Sequence, residues 1–173
     1  MGRRLLVMKA SGPGGRIGMP GKVVERVIRK RKVGMIITVD AAAKLEGEKT
    51  GSVAEGVGVA MGGPGTDRYY IEEVAVRHDL PLDSIIVKMS PEEAIMPMRK
   101  AVKDAVPEVV ESLKRSLSRT KKGGRVLVFG VGNSSGIGDS KAAADRAKKW
   151  IDRNEKALLA EKKRNKKDTD LYE

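Results

Sequence analysis

The sequence predicts an α/β fold, a Rossmann-like three-layer sandwich around a mostly parallel sheet. Short apolar runs at 5–8, 34–39, 84–89 and 125–131 alternate with longer amphipathic stretches, giving the order β-α-β-α-β-α-β-α. Three of those runs lead straight into glycine-rich loops, at 11–16, 40–65 and 130–136. If the runs are parallel strands, all three loops open at the carboxyl edge of one sheet, where open α/β folds bind ligands. A chain of 173 residues with 40% hydrophobic and 3% aromatic content fits one aliphatic core. We read a single domain over 1–164 and a charged, frayed tail over 165–173.

Leu5-Leu6-Val7-Met8 reads as a buried strand, and 22–32 as a helix with Val23, Val24, Val27 and Ile28 on one stripe. After the strand at 34–39 and the long glycine-rich loop comes a helix from Thr66 to about His78. Thr66 is its N-cap, Asp67 lies in its first turn, and Leu80-Pro81 stops it. The strand at 84–89 leads into Ser90-Pro91-Glu92-Glu93, which spells an N-cap, a proline at the first helical position and a capping box. Pro107 removes an amide donor and clashes with the preceding turn, so two helical pieces are expected before Gly123-Gly124. The last strand, 125–131, precedes a helix from about Ser140 to Lys163 with Ala143, Ala147, Trp150, Ile151, Leu158 and Leu159 as its apolar positions. No internal repeat is visible.

The net charge of +12 is concentrated at the ends: residues 1–32 carry +9, 141–173 carry +4, and 33–140 carry −1. Such a field attracts nucleic acid, an anionic surface or an anionic small molecule. There is no run of eighteen apolar residues and no charged-then-apolar leader, so neither a membrane span nor a signal peptide is expected, and a soluble cytoplasmic location is. The lack of cysteine excludes disulfides and thiolate metal sites. Absent glutamine with abundant lysine and glutamate is the composition of a protein from a hot habitat.

The loops carry the candidate chemistry. Gly12, Gly14, Gly15 and Arg16 run from strand to helix, where free amides, the positive helix end and a guanidinium suit a phosphate or carboxylate. The alternative is a plain crossover whose glycines serve conformation and packing. Gly-Lys-Ser/Thr is missing, so this is no Walker loop. Asp40, just past the last apolar residue of its strand, is the foremost candidate for a base or a Mg²⁺ ligand. Lys44 and Glu46 join it as candidate catalytic residues; Glu46, Glu48 and Glu55 are candidates to share a cation with it. Lys44, Lys49 and Thr50 are placed to meet an anionic substrate. The alternative there is a solvated loop whose charges neutralise one another.

Gly62 and Gly63 let a backbone lie close to a ligand, or shape a bend. Gly130, Gly132, Asn133 and Ser134 offer donors for an oxygen-rich ligand, with a turn and helix cap as the alternative. Their spacing departs by one residue from G-x-G-x-x-G, and the loop follows the last strand instead of the first. Ser134 and Ser135 have poor support as nucleophiles. His78 is the chain's one histidine, far in sequence from these loops, and reads as structural or surface.

The string 12–21, Asp40, 44–51, 54–60, 62–65 and Gly130-Val131-Gly132-Asn133 resembles an archaeal family known as domain of unknown function fifteen-twelve. The likeness covers most of 5–140 and corresponds to the carboxyl-terminal part of longer, membrane-anchored members; no leading hydrophobic segment stands here. The resemblance implies an archaeal source and a ligand site, and no reaction. Gly14-Gly15-Arg16-Ile17-Gly18-Met19 is also similar to a glycine-rich loop of D-glutamate cyclases, from which it departs at Pro13 and Arg16.

Together these features point to a site for a phosphorylated or carboxylated small molecule at the carboxyl edge of the sheet, in an enzyme with or without Mg²⁺ or in a binding module. The rival is an RNA- or ribosome-associated protein using Arg3, Arg4, Arg26, Arg29, Lys30, Arg31, Lys32 and the lysines of the last helix. Against it, no RNP, KH or zinc signature is present, and Tyr69, Tyr70 and Trp150 are scattered. The oligomeric state is left open.

Overall fold

A computed structural model describes residues 2–10, 19–58, 66–132, 134 and 136–169. Strands β1 (Arg4–Lys9), β2 (Met35–Ala43), β3 (Val53–Val57), β4 (Leu82–Met89) and β5 (Arg125–Gly130) form one sheet in the order β1-β5-β2-β4-β3. Four strands are parallel; β3 runs antiparallel to β4 at the far edge. The helices are α1 (Pro20–Arg31), α2 (Thr66–Arg77), α3 (Pro91–Ile95), α4 (Lys100–Asp104), α5 (Val106–Ser118) and α6 (Lys141–Thr169).

Central strands covered on both faces need apolar residues at successive positions, and Ile36 and Ile37 are both fully buried. On one face, Val24 and Ile28 of α1 and Ile71 and Val74 of α2 pack on Ile36, Leu82, Leu127 and Phe129. On the other, Val109, Leu113 and Leu117 of α5 pack on Met35, Ile37, Ile85, Val126 and Val128. Val102 and Ala105 cover Val87 and Met89 on that same side. The fold is thus α/β, three layers around a mostly parallel sheet. No helix among the described residues is long and apolar enough to cross a membrane.

Several expectations are corrected. The segment at 40–65 is not one loop: β2 continues through Ala43, and 53–57 forms β3. An edge strand needs little apolar character, and Val57 is 89% exposed. β1 is half-buried on one face, where Leu6 and Met8 pack on the core, and Leu5 and Val7 are exposed on the other. The helical segment after β4 forms three pieces, breaking around Pro97 and again at Ala105, and Pro107 sits in the first turn of α5 instead of in a helix interior. The capping box at Ser90 is present in full. Ser140 Oγ accepts from the amide of Ala143 at the start of α6, whose ladder runs on through Thr169. Along α6, Ala147 and Ile151 are buried, whereas Trp150 and Leu159 are exposed.

Parallel pairing places the carboxyl ends of β1, β5, β2 and β4 at one edge. From β2 the chain leaves, by way of β3, for α2 on one face. From β5 it leaves for α6, which ion-pairs with α4 on the other face through Lys103–Asp152 and Arg99–Glu155. Adjacent strands whose connections diverge to opposite faces open a crevice between their carboxyl ends.

Candidate functional site

Asp40 stands in that crevice. It lies within β2, three residues before the strand ends, so its carboxylate is fixed by the ladder. Pairing of β2 with β5 stops at Val39–Gly130, while pairing with β4 continues to Ala43–Met89. The Val131 amide still donates to Val39 O at 2.9 Å, carrying the contact between the two strands one residue past β5. The Asp40 residue is 8% exposed, and Oδ1 accepts from the Ala41 amide at 2.7 Å. A Cβ at Gly132 would stand 4.0 Å from Oδ1, so Asp40 and Gly132 line the same notch. Gly130 packs against Lys9 of β1, where a Cβ would come within 3.2 Å of the Lys9 Cβ, and Ser134 is buried just beyond.

A second polar group gathers over the ends of β2 and β4. Lys44 Nζ donates to Thr50 Oγ1 at 3.2 Å, and the Thr50 hydroxyl donates to Glu93 Oε2 at 2.8 Å. The same oxygen accepts from the Ser90 amide at 2.9 Å, closing the capping box of α3. Burial pushes the Glu93 carboxyl up, but the Ser90 amide, the Thr50 hydroxyl and the charges of Lys44 and Arg99 hold it below the ordinary carboxylate value. Gly51 sets this arrangement. Its φ is +91°, and a Cβ there would lie 2.5 Å from the Ala101 carbonyl oxygen. Lys49 and Glu46 are exposed. Sequence reading missed Ser90, Glu93 and Lys88 as parts of this edge; the capping box was the available signal for the first two.

The proposed cation ligands do not converge. Side chains alternate along β2 and β4, so Asp40 projects with Thr38 and Ile36 toward the face of α1 and α2. Glu55 lies opposite Ile85 on the α5 face and pairs with Arg115, which lowers its pKa. Glu48 pairs with Lys88 and accepts from the Leu45 amide at 2.8 Å, and these contacts also hold its carboxyl low. Among the described residues no three metal-ligating side chains cluster. Opposite sheet faces separate Glu55 from Asp40, and Glu48 is paired with the Lys88 ammonium.

Gly12, Gly14, Gly15, Arg16, Gly62, Gly63 and Asn133 lie outside the described residues. Gly21, at the end of the first glycine-rich string, is a packing residue inside α1; a Cβ there would lie 2.5 Å from Cδ1 of Tyr70. His78 follows α2 at the amino edge, away from Asp40. That amino edge is basic. Hydrogen bonds from Arg4 N to Gly124 O, from Gly34 N to Arg125 O and from Gly123 N to Gly2 O bring the start of β1, the end of α1 and the turn before β5 together. Arg4, Lys30, Arg31, Lys32, Lys121 and Lys122 are exposed there and make no ion pair among the described residues.

A family model described as the C-terminal domain of unknown function DUF1512 matches residues 1–138. The chain belongs to this family. The DUF1512 C-terminal match takes in all five strands, α1 to α5 and both sides of the Asp40 notch, and it ends before α6. Part of the chain is also similar to N-acetylmuramic acid 6-phosphate etherases of Staphylococcus aureus strains USA300, NCTC 8325 and COL. Each is 29% identical over 65 residues, 38% of this chain and 21% of the relative. The chain thus spans about a fifth of the length of the curated relatives it matches. No solved structure matches it.

Proposed function

We propose that this DUF1512 domain binds a phosphorylated or carboxylated small molecule at the carboxyl edge of its sheet. The observation that carries the reading is the notch where buried Asp40 faces Gly132 across the point at which β2 and β5 send the chain to opposite faces. Asp40 is an acceptor for a ligand hydroxyl, while the amides of Gly12, Gly14 and Gly15 with Arg16, and those around Gly62, Gly63, Asn133 and Ser134, take the anion. Lys44, held by Thr50, adds positive charge at the same edge. The partial likeness to enzymes named for a 6-phosphate supports a phosphate ester as the ligand class.

The test is a melting-temperature screen with phosphate esters and carboxylates, N-acetylmuramic acid 6-phosphate and glucose 6-phosphate among them. A ligand selective for the native state stabilises it by about 2.7 kcal/mol at a hundredfold excess over Kd. Arg16→Ala and Asp40→Asn are each expected to weaken binding by about 1–3 kcal/mol, the range for charge-assisted contacts, with folding intact. A screen in which no such compound raises the melting temperature would sink the reading.

A second reading, nucleic-acid binding, rests on the amino edge, with six exposed cations that make no ion pair among the described residues. Contacts with phosphates release counterions, so RNA affinity should fall by several log units per log unit of salt. Charge reversal at Lys30, Arg31, Lys121 and Lys122 should abolish binding, and Asp40→Asn should leave it unchanged. Salt-insensitive binding, or none, removes this reading.

A further inference from the structure

Ala143, Arg146, Ala147 and Trp150 recur at helical spacing and form one wall of an open cleft of about 380 Å³; Pro97, between α3 and α4, and Gly136, before α6, complete it. Among the described residues that line it, the walls are apolar save for one side chain, Arg146. It is exposed and makes no ion pair among the described residues, while neighbouring Asp145 is taken by Lys141 and Lys148. Trp150, the chain's one tryptophan, is 43% exposed, although burying so large a ring is ordinarily favourable. Ile95 and Met96, next to Pro97, are also exposed. Gly136 belongs to the loop that begins with Gly130 and Gly132, so one loop serves both this cleft and the Asp40 notch.

We propose that the cleft seats the base of a nucleoside monophosphate, stacked on Trp150 beside Arg146, with its phosphate at the carboxyl edge. The inference rests on the reading of that edge as a phosphate site. A base presents two π faces that stack on an indole, and a guanidinium adds cation–π and hydrogen-bonding capacity. A sugar ring in this position would leave hydroxyls against alanine, proline and glycine, with Arg146 the one polar side chain among the described lining residues to satisfy them. The chemistry of the walls therefore favours a base over a hexose.

Trp150 is also the reporter. The whole chain is titrated with AMP, GMP, CMP, UMP, glucose 6-phosphate and inorganic phosphate, following tryptophan fluorescence and, in parallel, calorimetric affinity. At least one nucleotide is expected to change Trp150 emission and to bind more tightly than glucose 6-phosphate. Trp150→Ala should weaken that nucleotide roughly 5- to 150-fold, the stacking range. Trp150→Phe should retain most of the affinity, and glucose 6-phosphate should bind the Trp150→Ala variant as it binds the parent. Arg146→Gln, at an exposed position, should weaken the nucleotide as well and carries the test if Trp150→Ala fails to fold. If nucleotides bind no better than glucose 6-phosphate, or Trp150→Ala and Arg146→Gln leave their affinity unchanged, the cleft inference falls while the phosphate site stands. If no phosphate ester binds at all, both fall.

Discussion

At position 132 an added methyl group would meet the Asp40 carboxylate at 4.0 Å, an ordinary contact; at position 51 it would meet the Ala101 carbonyl oxygen at 2.5 Å, with φ at +91°. The two glycines therefore do different jobs. Gly51→Ala forces backbone to move against α4 and should cost about 1–3 kcal/mol in urea denaturation. Gly132→Ala should change stability by less than about 1 kcal/mol, yet narrow the notch and weaken phosphate-ester binding in calorimetry. If the two variants were equally unstable, Gly132 would be a packing residue and the notch would lose its main support. In the sequence both are simply glycines in polar loops. Nothing local separates them, because what distinguishes them is a neighbour 50 residues away in one case and a carboxylate on another strand in the other.

Among the elements, α3 was the most legible, since Ser90, Pro91 and Glu93 lie within four positions and their hydrogen bonds are local. Ser90→Ala should cost about 0.5–2 kcal/mol in thermal denaturation, the range for losing an N-cap. The reach of Glu93 to Thr50 was not legible, because it depends on β2, β3 and β4 being paired in register. That network and its neighbours give stability a definite acid dependence. Glu48 is held low by Lys88, Glu55 by Arg115, and Glu93 by Ser90 and Thr50 against the opposing push of burial. In each case the folded form binds fewer protons than the unfolded chain. The contribution is thus fully present above the unfolded value near 4.5 and is lost as pH falls through the lower folded values. The melting temperature should hold from neutral pH to about 5 and drop below that, with a shallower drop in Glu93→Gln. A melting temperature that rises on acidification would contradict the pairing described.

For the molecule as a whole, α6 docks through Ala147 and Ile151 and through its ion pairs to α4, and Leu159 is exposed. Removing residues 160–173 should alter stability by no more than about 0.5 kcal/mol. Removing 141–173 uncovers Ile151 and the α4 surface and should cost at least about 2 kcal/mol. Equal loss in both truncations would mean that the far end of α6 packs. The sequence by itself determined the fold class, four of the five strands and the capping box. Those features follow from hydrophobic period and local backbone chemistry, which act over a few residues. Tertiary structure alone decided that 53–57 pairs as β3, that Glu55 faces away from Asp40, that Glu48 belongs to Lys88, and that Trp150 lines a cleft instead of a core. Each of these turns on sheet order and on which face a side chain takes, and those are set by contacts between segments far apart in the chain.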